Sequence, residues 1–329
     1  MAAPFPDADT IRDVVALAVT APSIHNTQPW RWRVEGGRSL HLSADFSRQL
    51  MYADPRRREL FVSCGAALHT AQVAASSLGW SPTVERDPDM GRTGHVAAVT
   101  FWPRTATPED VALAEAARRR RTDRREVTSW PVPQGWFDKL KRLALEQSVL
   151  ATGDLSEDQR REVGRQLGIA ARQQAMNEAY LDELMAWTHR SGDAGIPPAN
   201  VPDRREADRL ASDLAPTRFP AGTLVEQAND EGMHDAQWLV LATTADDPVA
   251  WVRTGEALSA LWLYCTIEGL SLVPYTQPVE VESVRAALGA HLLEDRGVPQ
   301  ILLRVGWPPV ARSLPPQTPR RPVEEVLES

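Results

Sequence analysis

Cysteine is scarce: the 329 residues contain two, Cys64 and Cys265, each inside an apolar stretch. With no CxxC pair or His-rich neighbourhood beside them, neither a disulfide framework nor a thiolate metal centre is indicated, and both read as small core residues. Long apolar runs are missing too. No stretch approaches the roughly 20 residues of a membrane span, and the acidic beginning has no hydrophobic region of signal-peptide type, which points to a cytoplasmic location. Positive charge is not in excess: the formal net charge is −8 and the isoelectric point near 5.5, a poor balance for a nucleic-acid binder. No GxGxxG follows a strand-like run, so a tightly held dinucleotide of Rossmann type is not supported, and no Ser/His/Asp or paired-carboxylate motif stands out.

What remains is ordinary globular material, 43% hydrophobic, enough for one large core or two smaller ones. The first specific stretch is APSIHNTQPWRWRV at 21–34. Its short polar residues suit a loop, whereas Trp30, Trp32 and Val34 alternate with Arg31, Arg33 and Glu35 at the period of a half-buried strand. A loop thus delivers several hydrogen-bonding groups to a sheet edge. His25 reads as an exposed member of that loop, and His69, on an apolar helix face, as a satisfied core histidine.

Two segments resemble each other, GAALHTAQVAASSLGW from Gly65 and GEALSALWLYCTIEGL from Gly255. Both predict buried helices ended by a glycine, Gly79 and Gly269, small-residue-rich in the first and bulkier in the second, so that the two could pack closely. Two Ala/Leu-rich helices can match by chance, but their flanks match as well. Strand-like runs WRWRV, SLHLSA and AQWLVLATT precede them, and HVAAVTFWP (95–103) and QILLRVGWP (300–308) follow. The division is expected between residues 1–105 and 106–329, where RTATPED supplies a turn and a helix start with Thr107 as N-cap and Pro108 at the first position. The second part carries an insertion at about 150–235, with a Gly/Pro-rich loop long enough for a lid.

One basic run, RRRRTDRR at 118–125, stands against the acidic background, and a second pair, Arg320 and Arg321, lies near the end of the sequence. Guanidinium forks suit a phosphate, with Thr122 adding a hydroxyl, although a bare arginine run is more often a solvated face.

These segments together resemble the nitroreductase-like flavoproteins, and the layout looks most like the fused, FMN-binding Acg-type subfamily. The resemblance rests on PSIHNTQPW (22–30), RRTDR (120–124), GEALSALWLYCTIEGLSLVPYTQPVE (255–280), RVGWP (304–308) and RRPVEE (320–325). It implies an α+β nitroreductase-like fold in two tandem degenerate copies forming an intramolecular pseudo-dimer. The first half has the Pro-Ser loop without an arginine cluster and the second the reverse, so one composite FMN site per chain is expected. By resemblance, Pro22, Ser23, Ile24 and Asn26 reach the flavin across the internal interface, with Ile24 where the family commonly has Ser, while Gln28, Pro29 and Trp30 anchor the loop. Arg120, Thr122 and Arg124 match the arginine motif at the phosphate and pyrimidine carbonyl. Pro274, Tyr275 and Thr276 match the segment on the N5 side, Asn229 an Asn near the pyrimidine edge, and Arg320 with Arg321 the tail that closes on the phosphate.

The implied activity is that of an FMN-dependent oxidoreductase passing electrons through flavin N5 to a nitroaromatic, quinone or similar acceptor, with no dedicated nucleophile. The alternative is an FMN storage or sequestration protein whose insertion lids the flavin. Partners are FMN, NAD(P)H and a small aromatic or quinone substrate, with no metal, nucleic acid or membrane, in a monomer or a homodimer.

Overall fold

A computed structural model describes residues 5–128, 130–188, 190, 192–203, 218–219, 222–224, 237–308 and 313–328. After helix α1 (Ala8–Ala18) come strands β1 (Trp30–Glu35) and β2 (Ser39–Ala44), helix α2 (Arg58–Ser77), β3 (Trp80–Arg86), the short α3 (Met90–Thr93) and β4 (His95–Pro103). Helices α4 (Pro108–Arg119) and α5 (Gln134–Glu146) lead to β5 (Leu150–Thr152), α6 (Glu157–Ala175) and α7 (Glu178–Thr188). Beyond these lie β6 (Gln237–Thr243), α8 (Pro248–Ile267), β7 (Ser271–Tyr275), α9 (Gln277–Glu280), α10 (Glu282–Leu293), β8 (Val298–Gly306), α11 (Val323–Val326) and β9 (Leu327–Glu328).

The strands form two sheets, ordered β3-β4-β2-β1-β9 and β5-β6-β8-β7. Without β9, they have the same connectivity. Two strands precede a long helix and two follow it, the second and fourth pair in the middle, and every one of these pairings is antiparallel. Even the irregularity recurs: the register shifts between Leu42 and Ser43 in β2 and between Leu241 and Ala242 in β6. The ninth strand crosses over. The tail that follows the second sheet pairs in parallel with β1 of the first, Trp32 opposite Leu327 and Arg33 opposite Glu328.

Helices α2 and α8 cross at the centre of the main core. A Cβ on Gly65 would lie 1.9 Å from the Val252 carbonyl oxygen, and one on Gly255 would lie 1.9 Å from the Val62 carbonyl oxygen. Each glycine therefore meets the residue three positions before the other, and only a hydrogen side chain allows that approach. Gly79 and Gly269, with φ of 85° and 78°, follow the ends of these helices in the left-handed conformation their sequence suggested. Across the crossing, Arg86 of β3 donates two hydrogen bonds, 2.7 and 2.9 Å, to the fully buried Glu256 of α8. Both cysteines are completely buried, and burial pushes their thiols up, as inert core residues require. His69 is hydrogen-bonded to Ser259 at 3.0 Å, and burial lowers it to about 4, a neutral core histidine.

A second apolar cluster covers the far face of the β5–β8 sheet, joining Trp238, Val240 and Leu302 to Val163 and Leu167 of α6 and to Leu288 of α10. A third, with Leu50, Tyr180, Leu184, Ile196 and Phe219, seats the inserted segment against Ile24. Among the described residues, no helix is long and apolar enough to cross a membrane.

Candidate functional site

The loop after α1 is held open by its own polar groups. Ser23 Oγ accepts from the Gln28 amide at 2.9 Å, and the Ile24 amide donates to Ser63 Oγ of α2 at 3.1 Å. Between these ties, His25, Asn26 and Gln28 take φ values of 44°, 55° and 51°. Each left-handed non-glycine residue costs on the order of 1–3 kcal/mol, so the turn needs tertiary support. Gln28 provides much of it: Oε1 accepts from the Arg321 amide at 2.8 Å and Nε2 donates to the Asp193 carbonyl at 2.6 Å. Trp30 is fully buried in the core, so the Gln-Pro-Trp end of the motif is an anchor, as its sequence suggested.

Asn26 ties three chain segments together. Its Nδ2 donates to the Gly195 and Pro319 carbonyls, both at 2.9 Å, and its Oδ1 accepts from Arg320 Nη1 at 3.1 Å. Arg320 and Arg120 then meet at a single atom, the Thr20 carbonyl oxygen, to which each donates from Nη2 at 3.2 Å. Arg120 caps the C-terminus of α4 and lies 4.5 Å over the Trp262 ring of α8. Arg124 donates to the Asn200 carbonyl at 3.0 Å and stands 5.0 Å over the Phe219 ring.

Four buried arginines elsewhere have carboxylates, Arg58 with Glu59, Arg125 with Asp123, Arg218 with Glu280 and Arg285 with Asp246, whereas the buried Arg304 donates to the backbone carbonyls of Arg124 and Arg125. Arg120, Arg124 and Arg320 have none among the described residues. Burial, then the neighbouring Arg320, Arg121 and Arg124, drives the Arg120 guanidinium well below its usual range, and burial followed by Arg121 brings Arg320 to about 10. Burial and then Arg218 bring Arg124 to about 10 as well. Arg120 Nη1 and Arg320 Nε are buried without a hydrogen-bond partner. Cations crowded out of water with orphaned donors are costly alone and suited to an anion.

Arg321 uses its guanidinium internally, on the carbonyls of Gln28 (3.3 Å) and Glu325 (3.1 Å). Thr122 is half-buried, and its hydroxyl has no partner among the described residues. Pro274 and Tyr275 end the edge strand β7, where a residue without an N–H is tolerated. Thr276 Oγ1 accepts from Arg218 Nη2 at 2.9 Å and donates to Glu280 at 2.7 Å. Arg304 links this corner to the arginine motif, lying 5.7 Å over the Tyr275 ring and donating to the Arg125 carbonyl at 2.7 Å. The structure thus brings Ile24, Asn26, Arg120, Arg124, Tyr275, Thr276 and Arg320 to one connected region, with Pro22 and Ser23 half-buried beside it. Asn229 lies outside the described residues.

One expectation is overturned. His25 is 4% exposed, not an open loop residue, because Phe219 of the inserted segment meets its ring edge-on at 5.3 Å. The sequence also gave no notice of Arg218, Phe219 or Asn200, which sit in the insertion without a local pattern.

No protein-family model matches the chain. It is 43% identical to the Mycobacterium tuberculosis (strain H37Rv) protein named "Putative NAD(P)H nitroreductase Rv3131", covering 98% of this chain and 92% of that protein. It is 32% identical to "Putative NAD(P)H nitroreductase acg" of the same strain, over 97% and 95% of the two chains. A solved structure of a tyrosine variant of the FMN and NADPH-dependent nitroreductase NfnB, from Sphigopyxis sp. strain HMH, is 20% identical, with a TM-score of 0.38 over 66% of this chain and 98% of that one.

Proposed function

The chain belongs to the nitroreductase-like family that includes Acg, and from that premise we propose that it is an FMN-dependent oxidoreductase delivering electrons to a nitroaromatic, quinone or similar acceptor. The observation that carries this reading is the meeting of Arg120 and Arg320 at Thr20 O with, among the described residues, buried donors unpartnered and no carboxylate to neutralise them. That donor set fits a phosphate dianion. In this reading Arg120, Arg320 and Arg121 hold the phosphate, Arg124 and Thr122 stand toward the ring, and the loop Pro22–Asn26 and the segment Pro274–Thr276 flank it from opposite halves. Arg321 keeps the tail in place through Gln28, and Asn229 is assigned to the pyrimidine edge. FMN, when bound, supplies hydride acceptance at N5 and electron delivery to a stacked acceptor, with NAD(P)H as donor. The protein contributes position, positive charge near the ring and exclusion of water.

The site is composite in this reading because residues 1–105 and 106–329 are two degenerate copies of one ancestral unit, paired as an internal dimer. Shared strand order, the matching register shifts, the reciprocal Gly65 and Gly255 contacts and the exchange of β9 support it. In this reading the chain holds one FMN and acts as a monomer or a homodimer, and we place it in the cytoplasm.

A second reading, FMN storage under a lid, is favoured by the hydrogen bonds that Asn26 and Gln28 make to Gly195 and Asp193 of the insertion. The absorbance spectrum and the FMN released from purified protein test the first step, with one FMN per chain expected; colourless protein that takes up no FMN would sink both readings. Anaerobic mixing with NADH or NADPH then separates them. Rapid bleaching supports the reductase, and reduction by dithionite alone supports storage. Deleting residues 191–205 should speed reduction if the segment is a lid.

A further inference from the structure

Among the described residues, His25 is the one buried histidine in the composite corner, and both its ring nitrogens, Nδ1 and Nε2, are buried without a hydrogen-bond partner. A neutral imidazole always carries one donor and one acceptor, so two orphaned atoms are a standing cost in the ligand-free protein. The backbone adds another, since His25 is held at φ 44°. Costs of this kind persist where a ligand later recovers them.

The surroundings specify the ligand's chemistry. The ring is edge-on to Phe219, the same aromatic ring over which Arg124 and Arg218 lie at 5.0 and 5.4 Å. Burial first, then Arg218 and Arg124, hold the imidazole neutral. A neutral ring is a poor phosphate ligand, and the unpaired guanidinium groups of Arg120 and Arg320 gather instead at Thr20 O. What suits His25 is an uncharged, flat, polar-edged ring.

We propose that His25 is a ligand-contacting residue that hydrogen-bonds the isoalloxazine ring of bound FMN, not its phosphate. The assignment rests on the FMN reading above. It places a further side chain of the 22–30 loop on the cofactor, at the position where the loop motif leaves the residue type open.

The test compares His25→Phe with His25→Gln in the full chain. Both substitutes bear a similar backbone cost at this φ, so their difference reports hydrogen bonding by the side chain. Flavin-stripped protein is titrated with FMN by fluorescence quenching, the visible bands of the bound flavin are recorded, and the thermal midpoint of the stripped protein is measured. The expected pattern is crossed. His25→Phe binds FMN about tenfold more weakly than wild type, shifts the bound flavin's bands and melts higher when stripped than His25→Gln, whereas His25→Gln recovers most of the affinity. Unchanged affinity and bands in His25→Phe, weaker binding with unshifted bands, or a stripped His25→Phe that melts below His25→Gln would overturn the proposal while leaving the FMN reading intact. Wild-type protein that takes up no FMN would end both.

Discussion

Along β1, Trp30 and Trp32 are buried while Arg31 and Arg33 face solvent, whereas β6 and β8 are buried over nearly their whole length. The two sheets share a connectivity, and the difference lies in what covers them. Helices α6 and α10 close the far face of the second sheet; among the described residues, nothing comparable closes the first. A sheet buried on one face alternates and one buried on both does not, so WRWRV and QILLRVG record how many layers lie over each. The half with the thicker core also holds the arginine motif, and the thinner half holds the strained loop. The proposed site lies where the two meet.

The sharpest test of whether the two halves are equivalent is at the helix crossing. Gly65→Ala and Gly255→Ala each drive a Cβ to 1.9 Å from a carbonyl oxygen. Each should cost about 3 kcal/mol or more in urea unfolding, and the two losses should be similar. If one is tolerated, the reciprocal packing is not a symmetric feature. The arginines give the next largest contrast. Arg285→Met takes away the guanidinium hydrogen-bonded to Asp246, leaving it only the more distant Arg56 at 3.8 Å, and should cost roughly 3 kcal/mol, whereas Arg120→Met removes a cation with no carboxylate among the described residues. The Arg120 variant should therefore keep or gain stability without flavin while FMN affinity drops about 100-fold, read by fluorescence titration. Equal destabilisation by both would mean that Arg120 has a counter-charge after all.

Strands 39–44 and 95–103 and the two glycine-ended helices were legible because local alternation and capping set them. The candidate site was legible only in part. The loop and the basic run announce themselves locally, but the run hides a division: Arg125 pairs with Asp123 at 2.7 Å, while Arg120 and Arg124 have no carboxylate among the described residues. That sorting depends on which side chains face Thr20, Trp262 and Asn200, all remote in sequence. His25 was misread for the same reason. Apart from Ile24 its neighbours in the chain are polar, and its burial comes from Phe219.

The acids that precede α2 and α8 shift in opposite directions. Asp54 accepts from the Leu60 amide at 2.8 Å, and burial, then Glu59, push it up to about 8. Before α8, burial of Asp246 is outweighed by hydrogen bonds from Arg285 and Trp251, which hold its carboxyl below the usual range. A carboxyl raised in the folded state stabilises below its unfolded value near 4, and that contribution is lost as pH rises toward 8. Glu59, also raised by burial, acts in the same direction. Asp246 does the opposite, stabilising above the unfolded value and losing that effect in acid. Asp54→Asn keeps the acceptor and removes the titration. It should raise stability on the order of 2 kcal/mol at pH 8 and little at pH 4, so thermal midpoints across that range should lose their downward slope.

The smallest effect tests how locally Arg120 is placed. Helix α4 begins at a capping box in which the Asp110 amide donates to Thr107 Oγ1 at 3.2 Å and the Thr107 amide donates back to Asp110 at 2.7 Å. Thr107→Ala should cost about 1 kcal/mol. Arg120, at the other end of that helix, is fixed by the Trp262 ring and Thr20 O, contacts to which the cap contributes nothing. FMN affinity in Thr107→Ala should therefore stay within about twofold of wild type, below the roughly tenfold that 1.4 kcal/mol would give. A larger loss would mean that the cation's position is set along the whole of α4, from the junction between the halves, and not by the groups it touches.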